Sequence, residues 1–302
     1  MTGGGMAEKI GFVVDSTADF PLHVAEELKV KSAPIRVYVD GESFLDGVTI
    51  SKKDVVECMK KGCNVHTAPP TPYEYAQLFD DMLQTCDRVI SFHVSSHFSD
   101  CYKSAKNSLN LLFDDQGERV ELIDTGSVSG GQALIVKKAR EILNQGIAPD
   151  KLYKRLVPYM KNSPLCFTVE DLKWLKKGGR ISSMAAIFGT LLNIKPVIGL
   201  IKAELKPVGR YKGKDQAILG MIKKAVEISR QIAGGYEIWV SHIEDQDSAD
   251  FMRKNLSDQL KKPIEEIRLV EIGSTIAAHA GPGSCGWSIM PALTSEKDKI
   301  EA

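Results

Sequence analysis

Short apolar runs alternate with amphipathic stretches through the first half of the chain. Ile10–Val14, Pro34–Val39, Arg88–Val94 and Arg119–Ile123 read as strands. Between them, Leu22–Lys29, preceded by Pro21, and segments opening at Ser51 and Thr71 read as helices. Ser51 with Asp54, and Thr71-Pro72-Tyr73-Glu74, carry the side chains of a capping box, and Gly62 marks where the first of these helices stops. Ser99–Phe113 and Ser129–Asn144, the latter stopped at Gly146, continue the alternation. Strands and helices in this order build a parallel sheet covered on both faces.

The pattern changes after a helix around Asp150–Met160. Leu165–Val169 reads as a strand, followed by a short helix to Lys177 and an apolar helix over Ser183–Asn193. Pro196–Ile201 and Leu205–Tyr211 alternate about Lys202-Ala203-Glu204, which predicts a hairpin. A helix over Lys214–Ile232, a strand at Glu237–His242, a helix over Ser248–Leu260 and strands at Ile267–Ile272 and Ser284–Met290 complete the reading. The expected fold is α/β in two domains. Residues 6–163 hold an N-terminal parallel sheet flanked by helices, and residues 164–295 an α/β domain with a mixed or antiparallel sheet. The boundary falls near Asn162-Ser163-Pro164.

Composition narrows the function class. Of 302 residues, 43% are hydrophobic and 26% charged, as in a soluble globular protein. Basic and acidic residues balance at 39 each, so the chain lacks an overall basic footprint for nucleic acid. Ten lysines and arginines between Lys173 and Lys214, against Glu204 alone, mark a local positive surface. It is either a solvated face or a docking patch, and it is too poor in aromatics to favour nucleic acid. No run approaches the roughly 20 apolar residues of a membrane span, and Met1–Met6 does not open a secretory signal. Six cysteines without C-x-x-C or zinc spacing fit a reducing cytoplasm.

In parallel α/β sheets ligands gather beyond the carboxyl ends of the strands. There the chain places Asp15-Ser16-Thr17, Ser95-Ser96 and Asp124-Thr125, each ahead of a helix whose N-terminus favours an anion. Thr67 lies in a proline-stiffened segment read as lying between two helices, and His279 follows Ile276-Ala277-Ala278 and precedes the turn Gly281-Pro282-Gly283. Taken singly, the hydroxyls are equally at home as helix caps and His279 as a structural residue. Gly281 to Gly286 matches G-x-G-x-x-G but precedes a strand, so it is not read as a dinucleotide loop. The nucleophile elbow, the zinc-protease helix and the phosphate-binding loop are missing, and His93 and His97 leave a strand without metal-ligand spacing. No metal, cofactor or catalytic residue is expected. The set suits a cradle for an anionic head group. Two alternatives stay open: an acyl hydrolase or transferase using Ser95 or Ser96 with His279, and a phosphocarrier using a histidine.

Five segments, in order, carry a family resemblance: Asp15–Asp19; Ser95-Ser96 with Ser99 and Tyr102–Ala105; Leu175–Ser182; Gly189–Pro196; and His279–Gly283. Together they resemble the DegV family, bacterial fatty-acid-binding proteins that serve as the binding subunit of fatty acid kinase. The resemblance implies a long-chain fatty acid buried between two domains, its carboxylate held by Thr67, Ser95 or Ser96, and His279. It also implies a partner, the fatty acid kinase catalytic subunit, which makes the acyl-phosphate that enters phospholipid synthesis. The binding protein supplies no nucleophile, and Arg180 falls in the basic turn presented to the kinase. A cytoplasmic protein with only transient membrane contact for lipid exchange is implied as well. Departures are local: the family's Thr-Ser-Gln-Pro-Ser loop is Thr67-Ala68-Pro69-Pro70-Thr71 here, and His97 and Asp100 replace usual glycines.

Overall fold

The apolar run Ile10–Asp15 forms strand β1, inside a parallel sheet, in the computed structural model, which describes residues 8–180, 194–201 and 203–293. Helix α1 (Leu22–Leu28) leads to β2 (Val30–Ala33) and then a hairpin, β3 (Arg36–Val39) and β4 (Glu42–Leu45). Next come α2 (Lys52–Lys61), β5 (Val65–Ala68), α3 (Pro72–Leu83), β6 (Arg88–His93), α4 (Cys101–Ser108), β7 (Val120–Asp124), α5 (Ser129–Asn144) and α6 (Leu152–Lys161). The parallel sheet runs β2-β1-β6-β7, and β4-β3-β5 make a separate antiparallel sheet. Both predicted capping boxes form. Asp54 N donates to Ser51 Oγ at 3.2 Å and Glu74 N to Thr71 Oγ1 at 3.3 Å, each with the reciprocal bond.

The second half holds β8 (Leu165–Thr168), α7 (Leu172–Lys177), β9 (Ile194–Ile201), β10 (Glu204–Lys212), α8 (Lys214–Ser229), β11 (Tyr236–His242), α9 (Gln246–Leu260), β12 (Ile267–Glu271), α10 (Ser274–Ala280) and β13 (Cys285–Pro291). Its mixed sheet has the order β10-β9-β8-β13-β11-β12, with only the β11–β12 pair parallel. An α/β chain with one parallel and one mixed sheet is the architecture the pattern predicts. The helix expected over Ser183–Asn193 lies outside the described residues.

Three strands and one helix differ from the sequence reading. β2 and β4 are four-residue edge strands carrying polar residues, too short for a periodic signal. β5 takes up Thr67, which pairs with Val37 across β3 instead of lying in a loop. The β-branched Val65 and Thr67 suit a strand, and Pro69-Pro70 end it. Helix α10 has no cap of its own. Its Ser274 and Thr275 amides donate to Asp46, at 3.1 and 3.3 Å, from a distant part of the chain. The core also crosses between the halves: Phe12, Ile90, Phe92 and Leu134 pack in one cluster with Trp239, Val270 and Met290. Helix α5 has its first eight residues buried, and lies between the two large sheets.

Candidate functional site

The end of β1 supplies the foundation. Asp15 is fully buried and accepts from Tyr75 Oη at 2.6 Å, His93 Nδ1 at 3.0 Å and Val94 N at 2.6 Å. Three donors on one carboxylate tie β1 to β6 and α3 and satisfy a group that would be costly to bury alone. Burial, and then the Asp15 charge, hold the Tyr75 hydroxyl and the Cys101 thiol well above their ordinary pKa values, so both stay protonated. The neighbouring Ser16 hydroxyl donates to Asp46 at 2.8 Å and accepts from Ile35 N at 3.1 Å. Asp46 in turn caps α10, so the turn after β1 sets the position of that helix.

His279 stands in the last turn of α10. Its Nε2 lies 2.8 Å from Thr67 Oγ1, joining β5 to α10 across 212 positions of sequence. Nδ1 is buried beside Gly178 and has no hydrogen-bond partner among the described residues. A Cβ at Gly178 would collide with Nδ1, so the Gly178-Gly179 turn leaves room for the ring. Burial, and then the Arg180 charge, lower the His279 pKa from 6.5 to about 4, which keeps the imidazole neutral at neutral pH. The turn after α10 passes Gly281 at φ 78°, where a side chain would also strike Trp174. That turn takes the chain from His279 into β13.

Arg180 follows the Gly178-Gly179 turn. Its Nε donates to Phe98 O at 3.1 Å and its Nη1 to Gly178 O. The guanidinium is half-buried and lines the same cavity as Thr67 and His279 instead of standing on an outer rim. Of the basic residues around it in sequence, Lys173, Lys195, Lys206 and Lys214 pair with Asp171, Glu170, Glu204 and Asp245 respectively. Local pairing therefore satisfies much of the basic stretch.

The cavity measures about 280 Å³ and lies between the halves, near the lower end of the roughly 300–1,000 Å³ usual for small-molecule sites. Ile35, Val94, Phe98 and Val128 contribute from the first half; Leu165, Phe167, Leu205 and Ile272 from the second. The predicted serines separate. Ser95 is fully buried, its Oγ accepts from His97 N at 3.3 Å, and it does not line the cavity. Ser96 is exposed, with its amide turned to Asp124 at 3.3 Å. His279 Nε2 is engaged by Thr67, so neither serine is paired with it. The nearby hydroxyl on the wall is Ser99, which the strand-end rule did not single out for this role. Among the described residues no group of three His, Cys, Asp or Glu side chains is placed to hold a metal ion, and no helix is long and apolar enough to cross a membrane.

A family model described as an uncharacterised protein of the DegV family matches residues 9–292. The chain belongs to the DegV family. A DegV domain-containing protein of Deinococcus radiodurans is 31% identical over 284 residues, which is 93% of this chain and 98% of that one. Among solved structures, a DegV family protein from Thermus thermophilus, described by its fatty acid binding, superposes with a TM-score of 0.85 at 28% identity, over 94% of this chain and all of that one. A stearic-acid-binding protein from Eubacterium ventriosum gives a TM-score of 0.87 at 25% identity, over 93% and 98% of the two chains. The chain shares the fold of these DegV structures over nearly its whole length.

Proposed function

We propose that this DegV protein binds a long-chain fatty acid in the cavity between its halves, dividing into two domains near residues 163 and 164, and presents the carboxylate to a partner kinase. The observation that carries this reading is the pairing of Thr67 with His279 beside Arg180 at one part of a mostly apolar cavity. A neutral imidazole that donates from Nε2 leaves the Thr67 O–H free to donate to a carboxylate. Arg180 adds the compensating charge, and burial of the acyl chain adds about 0.8 kcal/mol per CH₂. Fatty-acid-binding relatives of the same fold support the ligand class. Arg180 is assigned here to the carboxylate, ahead of kinase docking, because it lines the cavity. In this reading Ser95 shapes the wall behind Val94, Ser96 stands on the kinase-facing side, and no side chain acts as a nucleophile. The protein takes no cofactor and works in the cytoplasm.

The test is direct. Protein purified from a bacterial host should release a stoichiometric, unmodified long-chain fatty acid on denaturing extraction. With ATP alone it should make no acyl-phosphate, and with the kinase subunit it should. Protein that arrives empty and binds neither palmitate nor oleate would refute the assignment.

A further inference from the structure

Beyond the Thr67–His279 pair, the same cavity has a second polar region at the start of α5. Ser129, Ser241, Thr275 and Ser288 line it together. Among the described residues the hydroxyls of Ser241 and Thr275 have no hydrogen-bond partner, and their residues are only 6% and 4% exposed. Buried hydroxyls ordinarily find a partner, and leaving one unmade is costly. Two on one cavity wall point to a group that fills it. Helix α5 runs for 16 residues and has no side-chain cap at its start; its Gly131 and Gln132 amides donate to Val128 O, and the positive end of the helix favours an electron-rich group there. Gly130 completes the arrangement. A Cβ on it would lie 3.2 and 3.3 Å from the hydroxyl oxygens of Ser241 and Ser288, so glycine lets the helix start approach them.

We infer that this region reads a hydroxyl group on the acyl chain, so that the preferred ligand is a hydroxylated long-chain fatty acid; the inference rests on the fatty-acid reading above. The unpaired Ser241 and Thr275 hydroxyls can each donate and accept, which matches an alcohol. A second carboxylate fits poorly, because the Asp46 carboxylate lies behind the wall, accepting the Thr275 amide at 3.3 Å. Thr275 precedes His279 by four residues, about 6 Å along the helix. The hydroxyl it meets therefore sits within the chain and not at its far end.

The experiment compares stearate, a hydroxystearate carrying its hydroxyl about 6 Å from the carboxylate and a long-chain dicarboxylic acid by equilibrium binding to the full chain. The parent should bind hydroxystearate at least about tenfold more tightly than stearate, one extra buried hydrogen bond being worth about 1.4 kcal/mol. The dicarboxylic acid should be the weakest. Ser241→Ala with Thr275→Val should bring the two monocarboxylic acids to equal affinity, while Thr67→Ala should weaken both and keep their ratio. Stearate binding as tightly as hydroxystearate to the parent would overturn the inference, leaving water as the occupant. A preference that survives Ser241→Ala with Thr275→Val would overturn it too. Failure of all three acids to bind would instead remove the fatty-acid reading itself. Thermal melting of the double variant, and Ser241→Ala alone should it fold poorly, keep lost binding separate from lost structure.

Discussion

Replacing Asp19 by Asn probes the junction that positions α10, through its dependence on pH. Asp19 closes the turn after β1 in the left-handed region, at φ 47°, and its Oδ1 accepts from Gly273 N at 2.8 Å. Burial raises its pKa from 3.8 to about 7, with the Asp46 charge adding to the rise and Ser129, Gly273 and Lys52 opposing it. The folded chain therefore keeps a proton that the unfolded chain has already lost. This contribution to stability is whole below the unfolded pKa and disappears as pH rises through the folded one. About three pH units at ~1.4 kcal/mol each amount to about 4 kcal/mol lost by neutral pH. Asn keeps an acceptor for Gly273 and cannot ionise. The unfolding free energy of the variant minus that of the parent should thus grow by about 4 kcal/mol from roughly pH 4 to pH 8. Urea unfolding followed by tryptophan fluorescence suits the measurement, since Trp239 and Trp287 are both almost completely buried. A difference that stays constant across this range would refute the argument, whatever its size.

Three further outcomes concern the head group. Thr67→Ala should weaken fatty-acid binding by about 1.5–3 kcal/mol, the range for a hydrogen bond to a charged group, and His279→Ala should weaken it by releasing the Thr67 hydroxyl it orients; unchanged affinity in a displacement titration would reduce that residue to a structural role. Gly178→Ala should weaken binding in the same assay with little effect on backbone strain, because φ at Gly178 is −74° and the added Cβ would meet the His279 ring first; parental affinity would show that the ring need not hold its place. Arg180→Gln should raise the His279 pKa from about 4 in the ligand-free protein, since the guanidinium charge helps to lower it; an NMR titration with no upward movement would place Arg180 away from the imidazole.

Much of the fold was legible because its signals are local. Capping boxes at Ser51 and Thr71 act within three residues, and the apolar runs of β1, β6 and β7 are long enough to show their burial. What escaped depends on partners far along the chain. Helix α10 is seven residues of Ser, Thr, Ile, Ala and His, with weak helix signals of its own. The Asp46 carboxylate that satisfies its first amides lies 228 residues earlier in the chain than Ser274. β5 likewise exists only because β3 is there to pair with it. Neither dependence is written in a local window.

The same distinction applies to the site. Strand-end residues are legible as a class, because a parallel sheet delivers each of them to one edge. Which of two neighbours faces inward is decided by a single turn. Ser95 is drawn under the sheet edge by its amide donating to Ser127 O at 2.9 Å, while the next residue, Ser96, is left exposed. Asp15 shows that a strand-end acid can be spent wholly on architecture: its three donors come from the protein, and none of its oxygens is left for a ligand by that arrangement. Arg180 reverses the case. In the sequence it is one of many basic residues around a glycine turn, and charge counting suggests a surface. The turn's two glycines carry the better signal, since Gly178 is the position where a side chain would strike His279. A bare backbone there lets the imidazole and the guanidinium share one cavity wall. That arrangement is what brings a basic loop onto the cavity wall.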